Sequence, residues 1–151
     1  KETDYQDLSE KLSKLGSEMI LKSLDLLKND KAKFIPQNEE DATYAKKIDK
    51  DEAKINWNAD AKFIVAKVNA LNPNPGTWFE LGESRVKVLK ATEVKGMGKP
   101  GSIINKDLTI ACSENAVQIL ELQKEGKKKM TAREFLIGNK LEVGTNINSD
   151  V

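Results

Sequence analysis

The residues best suited to act on another molecule are three consecutive lysines, Lys127, Lys128 and Lys129, with Lys124 and Arg133 close by in the chain. Ammonium groups clustered on a loop neutralise phosphates, and binding of that kind weakens as salt rises. The competing reading is a solvated loop with no partner. Few aromatic residues interleave with the lysines, so base stacking is not expected, and an RNA held here would be held by its backbone and shape. Lys87 and Lys90 add positive charge on a predicted strand. On an ideal strand these two face opposite sides, so both reach one partner only if a bulge intervenes.

Other chemistry is excluded or weak. The chain has no histidine, which removes the commonest general base near neutral pH and a leading zinc ligand. Ser-His, Cys-His and His-metal sites are therefore absent from these residues, and no metal site is expected. The single cysteine, Cys112, lies in Leu108-Thr109-Ile110-Ala111-Cys112 and reads as a small core hydrophobe. With one cysteine no internal disulfide forms, and a reducing, cytoplasmic setting is the natural reading. Glu39-Glu40-Asp41 reads as a solvated turn, since adjacent acids on a loop do not converge on a substrate. Gly96-Met97-Gly98-Lys99-Pro100-Gly101 matches the dinucleotide fingerprint literally. That fingerprint needs a helix immediately afterwards. Here Ser102-Ile103-Ile104 follows with a strand pattern, so a strand-connecting loop is expected. Trp57, Trp78 and Phe79 read as core residues rather than stacking platforms.

Charge is unevenly spread. Residues 82–140 carry 12 basic and 7 acidic side chains, although the whole chain is only +1. That excess invites a polyanionic partner. No apolar run approaches the length of a membrane span, so no membrane partner is expected. The first residue is Lys1 rather than Met, which reads as a cut from a longer protein.

The elements that must position these residues are legible from periodicity. Leu8, Leu12, Leu15 and Met19, extended by Ile20, Leu24 and Leu27, predict a helix with a wide apolar stripe. Thr3 and Gln6 fit a capping box at its start, and Asn29-Asp30 its end. The stripe predicts packing against further protein or, for these residues alone, self-association. Lys33-Phe34-Ile35 predicts a short extended piece stopped by Pro36, and residues 42–60 a linker with apolar anchors Tyr44 and Trp57. A second helix, with Asn58 as its cap, places Ala61, Ile64, Val65, Val68 and Leu71 on one face and ends at Asn72-Pro73-Asn74-Pro75-Gly76. Strands are predicted at Thr77–Leu81, Arg85–Val94, Ser102–Ile104, Leu108–Cys112 and Ala116–Leu122. Thr131-Ala132-Arg133-Glu134 opens a short last helix that Gly138 stops. The expected fold class is mainly β with flanking helices: a small OB-like open β-barrel preceded by an N-terminal helix and a linker.

Several of these segments resemble the methionyl-tRNA formyltransferase family. Ala42-Thr43-Tyr44-Ala45-Lys46-Lys47-Ile48 and Ala53-Lys54-Ile55-Asn56-Trp57 resemble the stretch leading out of that family's catalytic domain. Asn72-Pro73-Asn74-Pro75-Gly76-Thr77-Trp78-Phe79 is similar to the turn that enters its C-terminal barrel. Pro100-Gly101-Ser102-Ile103, Gln123-Lys124-Glu125-Gly126-Lys127-Lys128-Lys129-Met130 and Glu134-Phe135-Leu136-Ile137-Gly138 follow in family order. Two positions depart: Asn56 stands where relatives often have Asp, and Asn74 where they often have Trp.

The resemblance implies a division into 1–41, the tail of a Rossmann-like catalytic domain, 42–60, an interdomain linker, and 61–151, the barrel. It implies a parent enzyme, monomeric, that moves a formyl group from 10-formyltetrahydrofolate to the methionine of initiator tRNA in translation initiation. The catalytic residues and the folate site would lie in the missing domain, leaving no catalytic residue and no activity here. A tRNA-contact role carries over to Lys127 and Lys128. Lys129, Arg133, Lys87 and Lys90 are added from charge alone. The alternatives are the structural barrel of a sugar-nucleotide formyltransferase or formyltetrahydrofolate hydrolase that does not bind RNA, and a free-standing OB-like module.

Overall fold

A computed structural model describes residues 3–147 of the chain. It divides into two compact units, Gln6–Ile48 and a unit that runs on from Asp49.

The first unit is built on helix α1, Tyr5–Lys28. The helix starts one residue later than a Thr3 cap requires, and Gln6 donates its amide to Glu10 (3.2 Å) instead of reaching back. It ends where Asn29-Asp30 predicts. Asp30 takes φ 55°, its N–H bonds the Leu27 carbonyl, and the Lys31 N–H bonds that of Leu26. This reciprocal pair satisfies the last carbonyls of the helix. No α1 residue is buried, and Leu8, Leu12, Leu15 and Met19 are each about half exposed. Beyond it, Lys33-Phe34-Ile35 forms no strand, and Phe34 and Ile35 are exposed. Glu39–Asp41 is one 3-10 turn, with the Asn38 side chain accepting from the Glu40 N–H. The three acids thus form a capped, solvent-facing turn. Tyr44 is 87% exposed.

The second unit is a curled antiparallel sheet carrying two helices. Helix α2 is Ala61–Leu71. The strands are β1 (Thr77–Leu81), β2 (Ser84–Val94), β3 (Thr109–Ala111), β4 (Ala116–Lys124) and β5 (Met130–Thr131), and helix α3 is Ala132–Gly138. The order is β1-β2-β4-β3, with β5 also pairing β4. This is the small open barrel that the strand spacing predicts. The α2 cap is Asp60, whose Oδ1 accepts from the Lys62 N–H at 2.9 Å, and not Asn58. Asn56-Trp57-Asn58 forms its own turn first: the Asn56 side chain accepts from Asn58 N–H and its carbonyl from Ala59 N–H.

The stretch 42–60 is not one uniform linker. Its second half belongs to the barrel, because Ala53, Ile55 and Trp57 are buried. Residues 53–55 run alongside β1: Ile55 N–H bonds the Trp78 carbonyl (2.8 Å) and Trp78 N–H that of Ala53 (3.2 Å). The expected strand Ser102–Ile104 reduces to single bridges, to Asn146 and Ile110. The backbone there is shared with the C-terminal segment, through Ile103 N–H to Thr145 O and Ile147 N–H to Gly101 O. The core gathers Trp57, Ile64 and Val68 with Phe79, Val86, Val88, Ile110, Val117, Ile119, Leu122 and Phe135. Trp57 meets Phe79 edge to face, centroids 5.8 Å apart. Trp78 is buried in a smaller cluster with Ala53 and Leu71. All three aromatic rings pack, as the sequence predicts.

The glycines after β2 have a packing role. No helix follows Gly101; its N–H bonds the Ala111 carbonyl. A Cβ on Gly96 would lie 2.5 Å from Ile104 Cδ1 and 2.8 Å from Ala116 Cβ, so the loop lies flat on the sheet only without one. Gly96→Ala is expected to destabilise by about 1–3 kcal/mol through overpacking. A urea midpoint that falls at constant slope would show it; an unchanged midpoint would show that the loop moves aside freely.

Candidate nucleic-acid interface

The lysine loop joins β4 to β5. Leu122 pairs Met130 and Glu121 pairs Thr131, so residues 123–129 close a hairpin. Gly126 makes the bend at φ 70°, a region glycine enters without a side-chain penalty. Two bonds fix the loop: Lys127 N–H to the Lys124 carbonyl (3.0 Å) and Gln123 Nε2 to the Lys127 carbonyl (2.8 Å). A third, Glu125 N–H to Arg85 O (3.1 Å), ties it to β2. Lys127, Lys128 and Lys129 are all exposed.

Strand β2 carries Lys87 and Lys90. Lys87 stands opposite Trp78 on one side and Gln123 on the other, which places it beside the base of the lysine loop. The register of β2 against β4 slips around Lys90. Val86 and Val88 are buried, and the next buried residue is Ala91, three positions on rather than two. The slip therefore turns Lys90 to the outer side that Lys87 occupies. The condition set by the sequence, that a bulge must intervene, is met. Asn72 supports this irregularity. Its Nδ2 donates to the Leu89 carbonyl at 2.8 Å, and its own N–H bonds the Val68 carbonyl at the end of α2. Asn72→Ala leaves a part-buried carbonyl without its donor and is expected to cost about 1–3 kcal/mol. Chemical denaturation checks it, and a loss below ~0.5 kcal/mol would show that water replaces the amide.

Arg133 lies elsewhere. It follows β5, on the side of β4 away from β2, in the first turn of α3. The capping box predicted there is present: Thr131 Oγ1 accepts from Glu134 N–H, and the Glu134 carboxylate accepts from Thr131 N–H at 2.7 Å. The backbone bond from Thr131, then its hydroxyl, holds the Glu134 carboxyl below its usual range. The depressed value means the cap is intact at neutral pH and is lost as pH falls through it. Arg133 borders an open groove of about 550 Å³ with Lys106, Asp107, Gln118, Leu120 and Ile137. The structure thus joins Lys127, Lys128, Lys129 and Lys87 in one neighbourhood. Lys90 extends it along β2, where it faces Glu121, and Arg133 stands apart across β4.

Three side chains make contacts that only the structure shows. Arg85 lies 3.9 Å from the Trp78 ring, and Lys54 is 5.4 Å from it while pairing Glu80 at 2.6 Å. Both cations are engaged within the protein. Gln123 is the third, and only the hairpin geometry reveals it. Cys112 is buried, and that burial pushes its thiol up to about 11, with a backbone hydrogen bond from Val117 opposing and the Asp60 carboxylate adding to the rise. It is a packed thiol, not a nucleophile. Among the described residues no cluster of acids and cysteine could hold a metal ion, and no helix is long and apolar enough to cross a membrane.

The chain is similar to known proteins. The chain is 41% identical over 142 residues to the methionyl-tRNA formyltransferase of Bradyrhizobium diazoefficiens, covering 91% of this chain and 46% of that protein. It is 37% identical over 145 residues to the enzyme of that name from Pelagibacter ubique, covering 95% and 47%. The chain spans about half the length of the curated relatives it matches. Among solved structures, HypX from Aquifex aeolicus in complex with tetrahydrofolic acid superposes with a TM-score of 0.62 at 22% identity, over 79% of this chain and 22% of that one. A multiply substituted HypX variant gives 0.64 at 21%, over 85% and 24%. These likenesses show a shared fold. The family model for the formyl transferase C-terminal domain matches residues 47–140, and the chain belongs to that family.

Proposed function

We propose that this chain is the C-terminal, tRNA-binding portion of a methionyl-tRNA formyltransferase. The carrying observation is the identity of 37–41% to enzymes of that name along more than nine-tenths of this chain. The parent enzyme transfers formyl from 10-formyltetrahydrofolate to the amino group of methionyl initiator tRNA. Folate and the reacting amine are assigned to its N-terminal domain, and residues 1–41 to that domain's tail, so no chemical step is routed through this chain. Its part is electrostatic. The exposed ammonium groups of Lys127, Lys128 and Lys129, with Lys87 beside them, neutralise phosphates of the tRNA backbone, Lys90 and Arg133 extend the contact, and counterions are released.

Filter binding with initiator tRNA at low salt tests this. Saturable binding that weakens as salt is added is expected. Absence of binding at the lowest salt would favour a barrel that is structural only.

A further inference from the structure

We infer that Gln123 is a positioning residue for the lysine loop, holding its backbone ready for phosphate; this rests on the tRNA-binding reading above. The Gln123 amide donates to the Lys127 carbonyl at 2.8 Å, spanning the hairpin from the strand to the first lysine of the loop. Without it, among the described residues the bend between the paired ends of β4 and β5 keeps the Lys127 N–H to Lys124 bond and the tie from Glu125 to Arg85. Gln123 also stands opposite Lys87, so one side chain sits between the two parts of the basic neighbourhood. Gln123 is half-buried in the sheet, whereas residues 125–129 are exposed. A strand residue with its backbone in the ladder is thus the rigid end, and the loop is the end that needs holding.

The consequence separates geometry from charge. Removing the amide leaves every lysine in place, so the number of phosphates neutralised at saturation does not change. What rises is the conformational entropy lost when the loop binds. Affinity therefore falls while the salt dependence stays the same. Removing a lysine instead flattens the salt dependence, by roughly one unit of log–log slope per phosphate contact.

The experiment is a tRNA titration at several salt concentrations with the wild-type chain, Gln123→Met, Gly126→Ala and the Lys127/Lys128/Lys129→Ala variant, beside thermal unfolding of each. Met keeps the length of Gln and lacks its donor. Gly126 has open space around a future Cβ but a φ of 70°, so Gly126→Ala strains the same bend by an independent route. Both single variants are expected to bind about 3- to 10-fold more weakly, the worth of one net hydrogen bond, with the wild-type slope. A Gln123→Met chain that binds like wild type, while the lysine variant loses binding, overturns the positioning role alone. A Gln123→Met slope flattened like that of the lysine variant overturns it too, because the side chain would then count as a phosphate contact. If neither the wild-type chain nor the lysine variant shows salt-sensitive binding, the tRNA reading itself fails and the positioning role with it.

Discussion

Trp57→Ala is expected to remove about 4 kcal/mol of stability, enough to lower the melting temperature by roughly 15–30 °C. Trp57 is 1% exposed, and its ring meets Phe79 edge to face, at 70° between planes. It carries the segment before α2 into the core: Ile55, two residues earlier, bonds β1 through Trp78, and Ala61, four residues later, is buried at the start of α2. An alanine leaves a cavity that α2 and β1 cannot both close. A domain's total stability is only about 5–15 kcal/mol, so the variant would sit near the edge of folding. Tyr44→Ala is the control. Tyr44 lies on the same stretch that the sequence reads as a linker, but it is 87% exposed. Its loss is expected to stay within ~0.5 kcal/mol. Urea unfolding followed by far-ultraviolet circular dichroism compares the two without relying on tryptophan emission. Equal, small losses would mean that residues 49–57 are not part of the barrel's core.

Lys127/Lys128/Lys129→Ala is expected to weaken initiator-tRNA binding on the order of 100-fold at low salt and to flatten the salt dependence by roughly 2 to 3 units of slope. The three side chains are exposed on a hairpin, so their removal leaves the core untouched and the melting temperature nearly constant. Arg85→Ala offers a contrast among the cations. Its guanidinium lies on the Trp78 ring at 3.9 Å, so its removal is read mainly as lost stability. Gel-shift titrations of both variants decide it. If the triple variant binds as tightly as the wild-type chain, RNA contact lies elsewhere on the surface.

Much of this fold is legible because its signals are local. The strand predicted from Arg85 to Val94 and the Thr131–Glu134 box each rest on a few adjacent residues, and each appears in place. The Asn29-Asp30 helix end is equally local. What escapes depends on contacts between distant segments. Trp57 looks no different from Tyr44 in sequence; Phe79, its partner, is 22 positions away. Ser102–Ile104 has a strand pattern but finds only single bridges, because its neighbour is an irregular C-terminal segment. Asn58 and Asp60 are both good caps, and the choice falls to Asp60 because Asn56 already organises a turn through Ala59. At the candidate interface the lysines are plain from the sequence. The slip that brings Lys87 and Lys90 to one side is not, since a bulge is a property of two paired strands. The role of Gln123 is hidden for the same reason: its bond to Lys127 exists only once the hairpin closes.

The most direct measurement is the affinity of the wild-type chain for initiator tRNA between about 50 and 200 mM salt, plotted as log affinity against log salt. With Lys87, Lys90, Lys127, Lys128, Lys129 and Arg133 engaged, a straight line of slope roughly −4 to −5 is expected. A chain that does not bind at ~50 mM salt, or whose affinity is flat across that range, contradicts a phosphate-binding barrel.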